Sequence, residues 1–187
     1  MGLIKILSGT FGGQGIRTPK GESTRPTTQL VRGALFDICQ NRIQEAHLLD
    51  LFAGSGAIGI EALSRGAAHA TLIENNRTAF HCLQQNITTL SLQSQTKLYL
   101  GDAFKLLPRL KTPFDIIYID PPYKMKKELY LELLKQLDKP LYKEAAIFIE
   151  ENQNLKTLFQ EQTFTHFQHK RTKSYGDTHL HQFATKT

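Results

Sequence analysis

The sequence has few of the features that mark secreted, membrane or disulfide-stabilised proteins. Its two cysteines, Cys39 and Cys82, have neither CxxC spacing nor the pattern of a secreted scaffold, which favours a reducing compartment without a disulfide. No apolar run is long enough to cross a bilayer, and the opening 1–7 is interrupted by Ser8 and Gly9 before a signal-peptide core forms. We therefore expect a cytoplasmic protein that does not bind a membrane.

The sequence also lacks a set of residues suited to a metal ion. His179 and His181 alternate along one predicted strand, but no third ligand follows at a suitable spacing. Histidines on the surface of a strand are the simpler interpretation. We expect no metal.

Acidic residues are outnumbered, with 17 Asp and Glu against 23 Lys and Arg, for a formal charge of +6 at pH 7. An excess of basic residues favours a polyanionic partner, because Lys and Arg displace counterions from phosphates. Charge alone does not select nucleic acid, since many basic proteins bind none.

Short apolar runs alternate with longer amphipathic ones from residue 47 onward, which indicates a mainly parallel sheet with helices on both faces. Residues 164–173 and 179–184 are predicted to form an antiparallel hairpin around Gly176 and Asp177. The other strands are predicted at 47–52, 70–74, 97–100, 114–119 and 145–150, and the helices at 57–65, 77–90, 102–107 and 128–137. The fold class is therefore α/β.

A chain of 187 residues fits a single domain, 1–187, that buries roughly 70% of the surface its unfolded form exposes. Residues 1–40 are predicted to be a basic, turn-rich extension packed on the core formed by 47–187. The extension ends in a helix for which Thr27 or Thr28 is the predicted N-cap.

Residues 54–59 match GxGxxG between a predicted strand and a helix, the context of an adenosine-type cofactor. Glu74 ends the next strand, where it can accept hydrogen bonds from ribose hydroxyls. Asp50 suits the ammonium and sulfonium groups of S-adenosylmethionine better than a pyrophosphate. Asp102 is predicted to accept from the adenine amine, or only to cap the following helix. The predicted cofactor-binding residues are Asp50, Phe52, Ala53, Gly54, Ser55, Gly56, Glu74, Asp102 and Ala103.

The turn Asp120-Pro121-Pro122-Tyr123 follows the most apolar strand and carries the predicted catalytic residues. An exocyclic amine is a poor nucleophile, and two acceptors for its hydrogens localise the lone pair. The Asp120 carboxylate and the Pro121 carbonyl can supply them, and the two prolines fix the geometry. Tyr123 can stack on the base. The alternative interpretation is that residues 120–123 form only a rigid loop. However, this turn and the Gly-rich turn at 54–59 open onto the same edge of the predicted sheet.

Six segments carry a resemblance to one family. They are RPTTQLVRGALFDI (25–38), DLFAGSGAIGIEALSRGA (50–67), Glu74, GDA (101–103), DPPY (120–123) and YGDT (175–178). Together they resemble the RsmD family, bacterial methyltransferases that modify a guanine N2 of 16S ribosomal RNA. Gly33 departs from the larger, helix-favouring residue expected there, which costs about 1 kcal/mol in a helix interior.

The resemblance implies a Rossmann-like class I methyltransferase fold with a seven-stranded sheet. It also implies S-adenosylmethionine as cofactor, the guanine amine of 16S rRNA as substrate, and an assembled or assembling small ribosomal subunit as partner. We expect a monomer. Basic and aromatic residues around the pocket are predicted to bind RNA, with solvated charge as the alternative. They are Arg17, Lys20, Arg25, Arg32, Lys170, Arg171, Lys173 and Tyr175.

Three other functions fit part of the pattern. A DNA adenine-N6 methyltransferase uses the same turn, but its usual recognition domain is hard to fit into this length. A nicotinamide-dependent oxidoreductase is disfavoured by Asp50 and leaves the Asp-Pro-Pro-Tyr turn without a role. A non-catalytic RNA-binding module needs neither Asp120 nor Gly54.

Overall fold

The computed structural model describes residues 2–19, 26–122 and 125–186, with the side chains of those residues except 26–28. The strands are β1 (Gly2–Lys5), β2 (Gly15–Thr18), β3 (His47–Asp50), β4 (His69–Glu74), β5 (Thr96–Leu100), β6 (Ile116–Ile119), β7 (Ala146–Glu151), β8 (Phe167–Tyr175) and β9 (Thr178–Thr185). The helices are α1 (Pro26–Cys39), α2 (Ala57–Ser64), α3 (Arg77–Thr89), α4 (Ala103–Leu106), α5 (Lys127–Leu137) and α6 (Lys156–Gln160).

The described residues include a seven-stranded sheet in the order β5-β4-β3-β6-β7-β9-β8. The first five of these strands are parallel, whereas β9 runs antiparallel to both β7 and β8. Gly176, in the turn between β8 and β9, has a φ of 59°, a conformation that glycine adopts without strain. The predicted α/β fold with a mostly parallel sheet and a C-terminal antiparallel hairpin is confirmed.

Both faces of the sheet are covered, as the alternation along β6 shows. Ile116 and Tyr118 belong to the apolar cluster that includes side chains of α1, α2 and α3. Ile117 and Ile119 belong to the cluster formed with α5 and α6. A strand buried on both faces needs a continuous apolar run, which explains why the sequence pattern located β6 well.

The N-terminal segment is more regular than the sequence predicted. β1 and β2 pair as an antiparallel hairpin, with Leu3 opposite Arg17. Ile6 and Ile16 are buried in the same apolar cluster as α1, so the segment packs on the core. The N-cap prediction is wrong, because α1 begins at Pro26 and both threonines lie inside its first turn. Proline is favoured at a first helical position, where its missing N–H costs nothing.

Candidate functional site

The two predicted turns lie side by side at the carboxyl edge of the sheet. β3 and β6 are neighbours, and Leu51 N, just after β3, donates to Tyr118 O near the end of β6 at 3.1 Å. The chain leaves β3 toward β4 on one side and enters β6 on the other. Ligands of parallel α/β sheets bind in the crevice at such a change of direction.

The Gly-rich turn depends on two glycines with positive φ, Gly54 at 54° and Gly56 at 88°. A Cβ on Gly56 would come within 2.4 Å of Leu83 Cδ1, so no larger residue fits without a shift. Gly56 immediately precedes α2, whose first N–H groups face the turn. The turn therefore leaves an open backbone cradle at a helix N-terminus, which fits a small anionic or polar group.

Glu74 links the turn to the end of β4. Its Oε2 accepts from Gly54 N at 2.7 Å, and its Oε1 accepts from Asn76 N at 2.7 Å. Each carboxylate oxygen has a second lone pair, so both can accept a further donor such as a ribose hydroxyl. Glu74 thus holds the turn in place as well as lying where the sequence predicted a cofactor contact.

Asp50 is deeply buried, with 1% of its surface exposed. Burial raises its pKa to about 7, opposed by the hydrogen bond from Phe52 N and reinforced by the charges of Glu74 and Glu150. A buried carboxyl group near two other acids favours a cation close by, because the cation offsets both desolvation and repulsion.

The remaining predicted cofactor residues lie around the same edge. Ala53 N donates to Ile73 O at 2.8 Å, which fixes the turn to β4. Phe52 is partly buried and Ser55 is buried. Asp102 Oδ1 accepts from Phe104 N at 2.8 Å and caps α4, which begins at Ala103, so the capping interpretation of Asp102 is observed. An adenine contact through its other oxygen stays a prediction.

In the Asp120 turn, the aspartate is partly buried, Pro121 is buried and Pro122 is exposed. Asp120 lies close enough to Tyr118 for its charge to help raise the pKa of that phenol, after burial and Glu150. Tyr123, the fourth predicted catalytic residue, lies outside the described residues, as do Lys20 and Arg25 of the predicted RNA-binding set.

The predicted RNA-binding residues divide into different environments. Arg17, Lys170, Arg171 and Lys173 are exposed, and Tyr175 is partly buried against the core. β9 runs antiparallel to β7, so the end of β8 near Tyr175 lies at the same edge of the sheet as the two turns. Lys173 is aligned through Leu180 with Glu150 near that edge.

The prediction for Arg32 is wrong. Arg32 is 2% exposed, its Nη2 donates to Lys5 O at 2.6 Å, and its Nε lies 3.6 Å from Glu61 Oε2. Glu61 is fully buried on α2 and also accepts from Leu7 N at 2.8 Å. Arg32 and Glu61 thus connect the N-terminal segment to α2 through these hydrogen bonds, and the guanidinium does not face solvent.

The buried bonding roles of Asn86, Glu61 and His181 were not predicted from the sequence. Asn86 is 4% exposed and lies in the apolar stripe of α3, where a polar residue is itself a signal of a buried bonding role. Glu61 gives the same signal inside the buried helix α2. His181 is fully buried rather than on the surface, with Nε2 2.9 Å from Glu151 Oε1. Strand alternation alone could not show that both faces of β9 are covered there.

The described part of the chain holds no group of three or more side chains arranged to bind a metal ion. Within the same ranges, none of the helices is both long and apolar enough to cross a membrane.

The sheet order, the Gly-rich turn after β3 and the Asp-Pro-Pro turn after β6 define an α/β methyltransferase that uses S-adenosylmethionine. The chain belongs to the RsmD family, whose model, described as Conserved hypothetical protein 95, matches residues 4–184.

Sequence and structure similarities to known proteins support this family membership. The chain is 38% identical over 151 residues to ribosomal RNA small subunit methyltransferase D of Escherichia coli K12, covering 80% of this chain and 75% of that one. It is 37% identical over 127 residues to YlbH of Bacillus subtilis, covering 66% of this chain and 69% of that one. The solved structure of yhhF from Escherichia coli superposes with a TM-score of 0.82 at 30% identity, covering 100% of this chain and 99% of that one.

Proposed function

We propose that this chain transfers a methyl group from S-adenosylmethionine to the N2 amine of a guanine in 16S rRNA. The observation that carries the proposal is the adjacency of the two turns: the Leu51 N–H, just before the Gly-rich turn, donates to the carbonyl of Tyr118, two residues before Asp120, at 3.1 Å. It joins a cofactor cradle to a turn that presents two acceptors. The relatives named as small subunit rRNA methyltransferases supply the substrate class.

The residues present fit the cofactor. Gly54 and Gly56 keep the turn free of side chains, Glu74 offers acceptors to hydroxyls, and buried Asp50 favours a cation. When bound, S-adenosylmethionine supplies an electrophilic methyl group whose leaving group is a neutral thioether. The chain contributes orientation and exclusion of water around that methyl group.

The Asp120 turn acts on the amine. The Asp120 carboxylate and the Pro121 carbonyl accept hydrogen bonds from the two N–H groups of the amine. This favours a pyramidal nitrogen with its lone pair directed at the methyl carbon. Pro121 and Pro122 restrict the backbone, so the acceptors need little reorganisation. Once the N–C bond forms, Asp120 or water takes the surplus proton. Tyr123 stacks on the base in this proposal.

The substrate surface is the edge around the turns. Lys173 and Tyr175 lie at that edge by register, and exposed Arg17 lies on β2, which α3 connects to the Gly-rich turn. Lys170 and Arg171 extend the basic surface along β8. These residues hold phosphates while the target base enters the crevice. We propose that the substrate is presented in an assembled or assembling small subunit and that the enzyme is monomeric.

The test supplies labelled S-adenosylmethionine with small ribosomal subunits, naked 16S rRNA or DNA in parallel. We expect label in ribosomal RNA and none in DNA, with the subunit and the naked RNA arms distinguishing the presented form. An Asp120→Ala variant should lose at least about 10²-fold in kcat, as expected for removal of a group that acts in the transition state. Label in DNA alone, or full activity in Asp120→Ala, would contradict the proposal.

A further inference from the structure

A turn with two acceptors does not by itself distinguish guanine from adenine. The N2 amine of guanine and the N6 amine of adenine each present two N–H bonds, and both fit the Asp120 carboxylate and the Pro121 carbonyl. The ring nitrogen beside the amine differs, because N1 of guanine donates a hydrogen and N1 of adenine accepts one. A site that selects guanine over adenine therefore requires an acceptor for the N1–H next to the Asp120 turn.

Glu150 lies at that position. β6 and β7 are parallel neighbours whose register pairs Ile119 with Ile149, so Asp120 and Glu150 are the next residues of the two strands. Neighbouring strands lie about 4.8 Å apart, so side chains at the two strand ends can reach adjacent atoms of one base. Of the residues that end β7, Glu150 shares the sheet face of Tyr118, since the two side chains are hydrogen-bonded.

The Glu150 carboxylate is held rather than free to rotate. The Tyr118 hydroxyl donates to its Oε2, and Tyr118 is itself 2% exposed within the apolar cluster beneath α1. Glu150 is 8% exposed, so a donor that reaches it replaces little water. Burial and the charges of Glu150, Asp120 and Asp50 raise the pKa of Tyr118, so its hydroxyl stays protonated and remains a donor to Glu150.

We propose that Glu150 is the residue that selects guanine, by accepting the N1–H of the base whose N2 amine the Asp120 turn holds. Tyr118 is a positioning residue that fixes the acceptor. Adenine would place its N1 lone pair against the carboxylate and leave buried polar atoms without partners, which sites of this kind reject strongly. The inference rests on the proposed function and names the group that gives it base specificity.

The test uses an analogue that keeps the amine and reverses N1. 2,6-Diaminopurine has the 2-amino group of guanine but an acceptor at N1. Small subunits are reconstituted with rRNA ligated to carry guanine or 2,6-diaminopurine at the mapped methylation position. The kcat/KM for each is measured with the full-length protein and S-adenosylmethionine. We expect the wild type to prefer guanine by at least about 10²-fold.

Glu150→Gln is the informative variant, because it keeps size and an acceptor for Tyr118 while its amide can donate to N1. We expect it to reduce the preference for guanine by at least about 10-fold, with both substrates compared at saturating S-adenosylmethionine. Tyr118→Phe should lower the preference less, because the acceptor remains but is less well fixed. Glu132→Gln, at an exposed position on α5, is the matched control and should keep the wild-type ratio.

A wild-type ratio in Glu150→Gln, with thermal unfolding showing an intact fold, would overturn the inference alone. A wild type that forms no N2-methylguanine would overturn the proposed function and this inference together. If Glu150→Gln lowers kcat/KM for both substrates in equal proportion, the ratio stays at the wild-type value and the inference is overturned in the same way, because a purely structural residue would have that effect.

Discussion

Asn86 donates from Nδ2 to the Ser55 carbonyl at 2.9 Å and thereby joins helix α3 to the Gly-rich turn. The same nitrogen donates to Arg17 O at 2.9 Å, and Asn86 Oδ1 accepts from Arg17 N at 3.0 Å. One buried side chain thus fixes the cofactor turn and the strand that carries an exposed arginine. A hydrogen bond of this kind contributes roughly 0.5–1.5 kcal/mol, and more is lost when a buried partner stays unpaired.

Asn86→Asp should weaken S-adenosylmethionine binding by about 10-fold, because a carboxylate oxygen would face two carbonyl acceptors. Isothermal titration calorimetry measures the change in Kd. Gln84→Glu introduces the same charge at an exposed position of the same helix and should leave Kd within about twofold. Equal effects of the two variants would mean that charge on α3, rather than the bond to Ser55, controls affinity.

Asp50 predicts a pH dependence of cofactor binding. Its pKa is raised to about 7 by burial, so the carboxylate that complements the ammonium and sulfonium is lost as the pH falls below that value. Comparing the wild-type Kd with that of Asp50→Asn removes the titration of the cofactor's own amino group. The wild-type advantage should be large at pH 8 and shrink by up to about 10-fold per pH unit below 7. An advantage that does not vary with pH would contradict the ionised role.

The same residue predicts an opposite effect on stability. A folded-state pKa above the unfolded value means that the proton on Asp50 stabilises the fold at low pH and that this contribution is lost as the pH rises through about 7. Asp50→Asn should therefore raise the free energy of unfolding at pH 8 by up to about 4 kcal/mol, because burial raises the pKa from 3.8 to about 7 and each pKa unit corresponds to about 1.4 kcal/mol. At pH 5 the gain should be smaller. Denaturant unfolding at both pH values checks it.

Two glycines in helices should respond in opposite ways to alanine. A Cβ on Gly33 of α1 would lie 3.7 Å from Leu7 Cδ1, an ordinary contact, so Gly33→Ala should stabilise the protein by about 0.5–1 kcal/mol. A Cβ on Gly59 of α2 would lie 2.4 Å from Leu72 Cδ2, so Gly59→Ala should destabilise it by about 1–3 kcal/mol. Thermal unfolding measures both. A destabilised Gly33→Ala would show that the departure at this position has a packing reason.

Substitutions of Arg32 and of Lys173 should have different effects: the first should lower stability, and the second should weaken RNA binding. Arg32→Gln should lower the free energy of unfolding by about 1–3 kcal/mol, because it removes the buried hydrogen bond to Lys5 O and the charge beside Glu61, which stays paired with Arg65 at 2.7 Å. Lys173→Gln, at an exposed position, should leave stability within about 0.5 kcal/mol while weakening RNA binding and its salt dependence. Denaturant unfolding and filter binding at several salt concentrations give the two readouts. Normal RNA binding by Lys173→Gln would remove that residue from the proposed surface.

Local patterns predicted the sheet well because β3, β6 and β7 carry apolar runs that only a buried parallel strand accommodates. The two turns were predictable because their residues follow strand ends. Arg32 was misassigned because its partner, Glu61, is 29 positions away and burial is a property of the fold. The roles of Asn86, Glu150 and His181 required the packing of separate elements, which no local pattern contains.

The most direct test is the nucleoside formed in small-subunit rRNA, identified by mass spectrometry after nuclease digestion, with the wild type and with Asp120→Ala, which lacks the acceptor oxygens. The wild type should produce N2-methylguanosine at one position, and Asp120→Ala should form it at least about 10²-fold more slowly while binding S-adenosylmethionine normally. Methylation of adenine, or N2-methylguanosine formed equally fast by Asp120→Ala, would contradict the account.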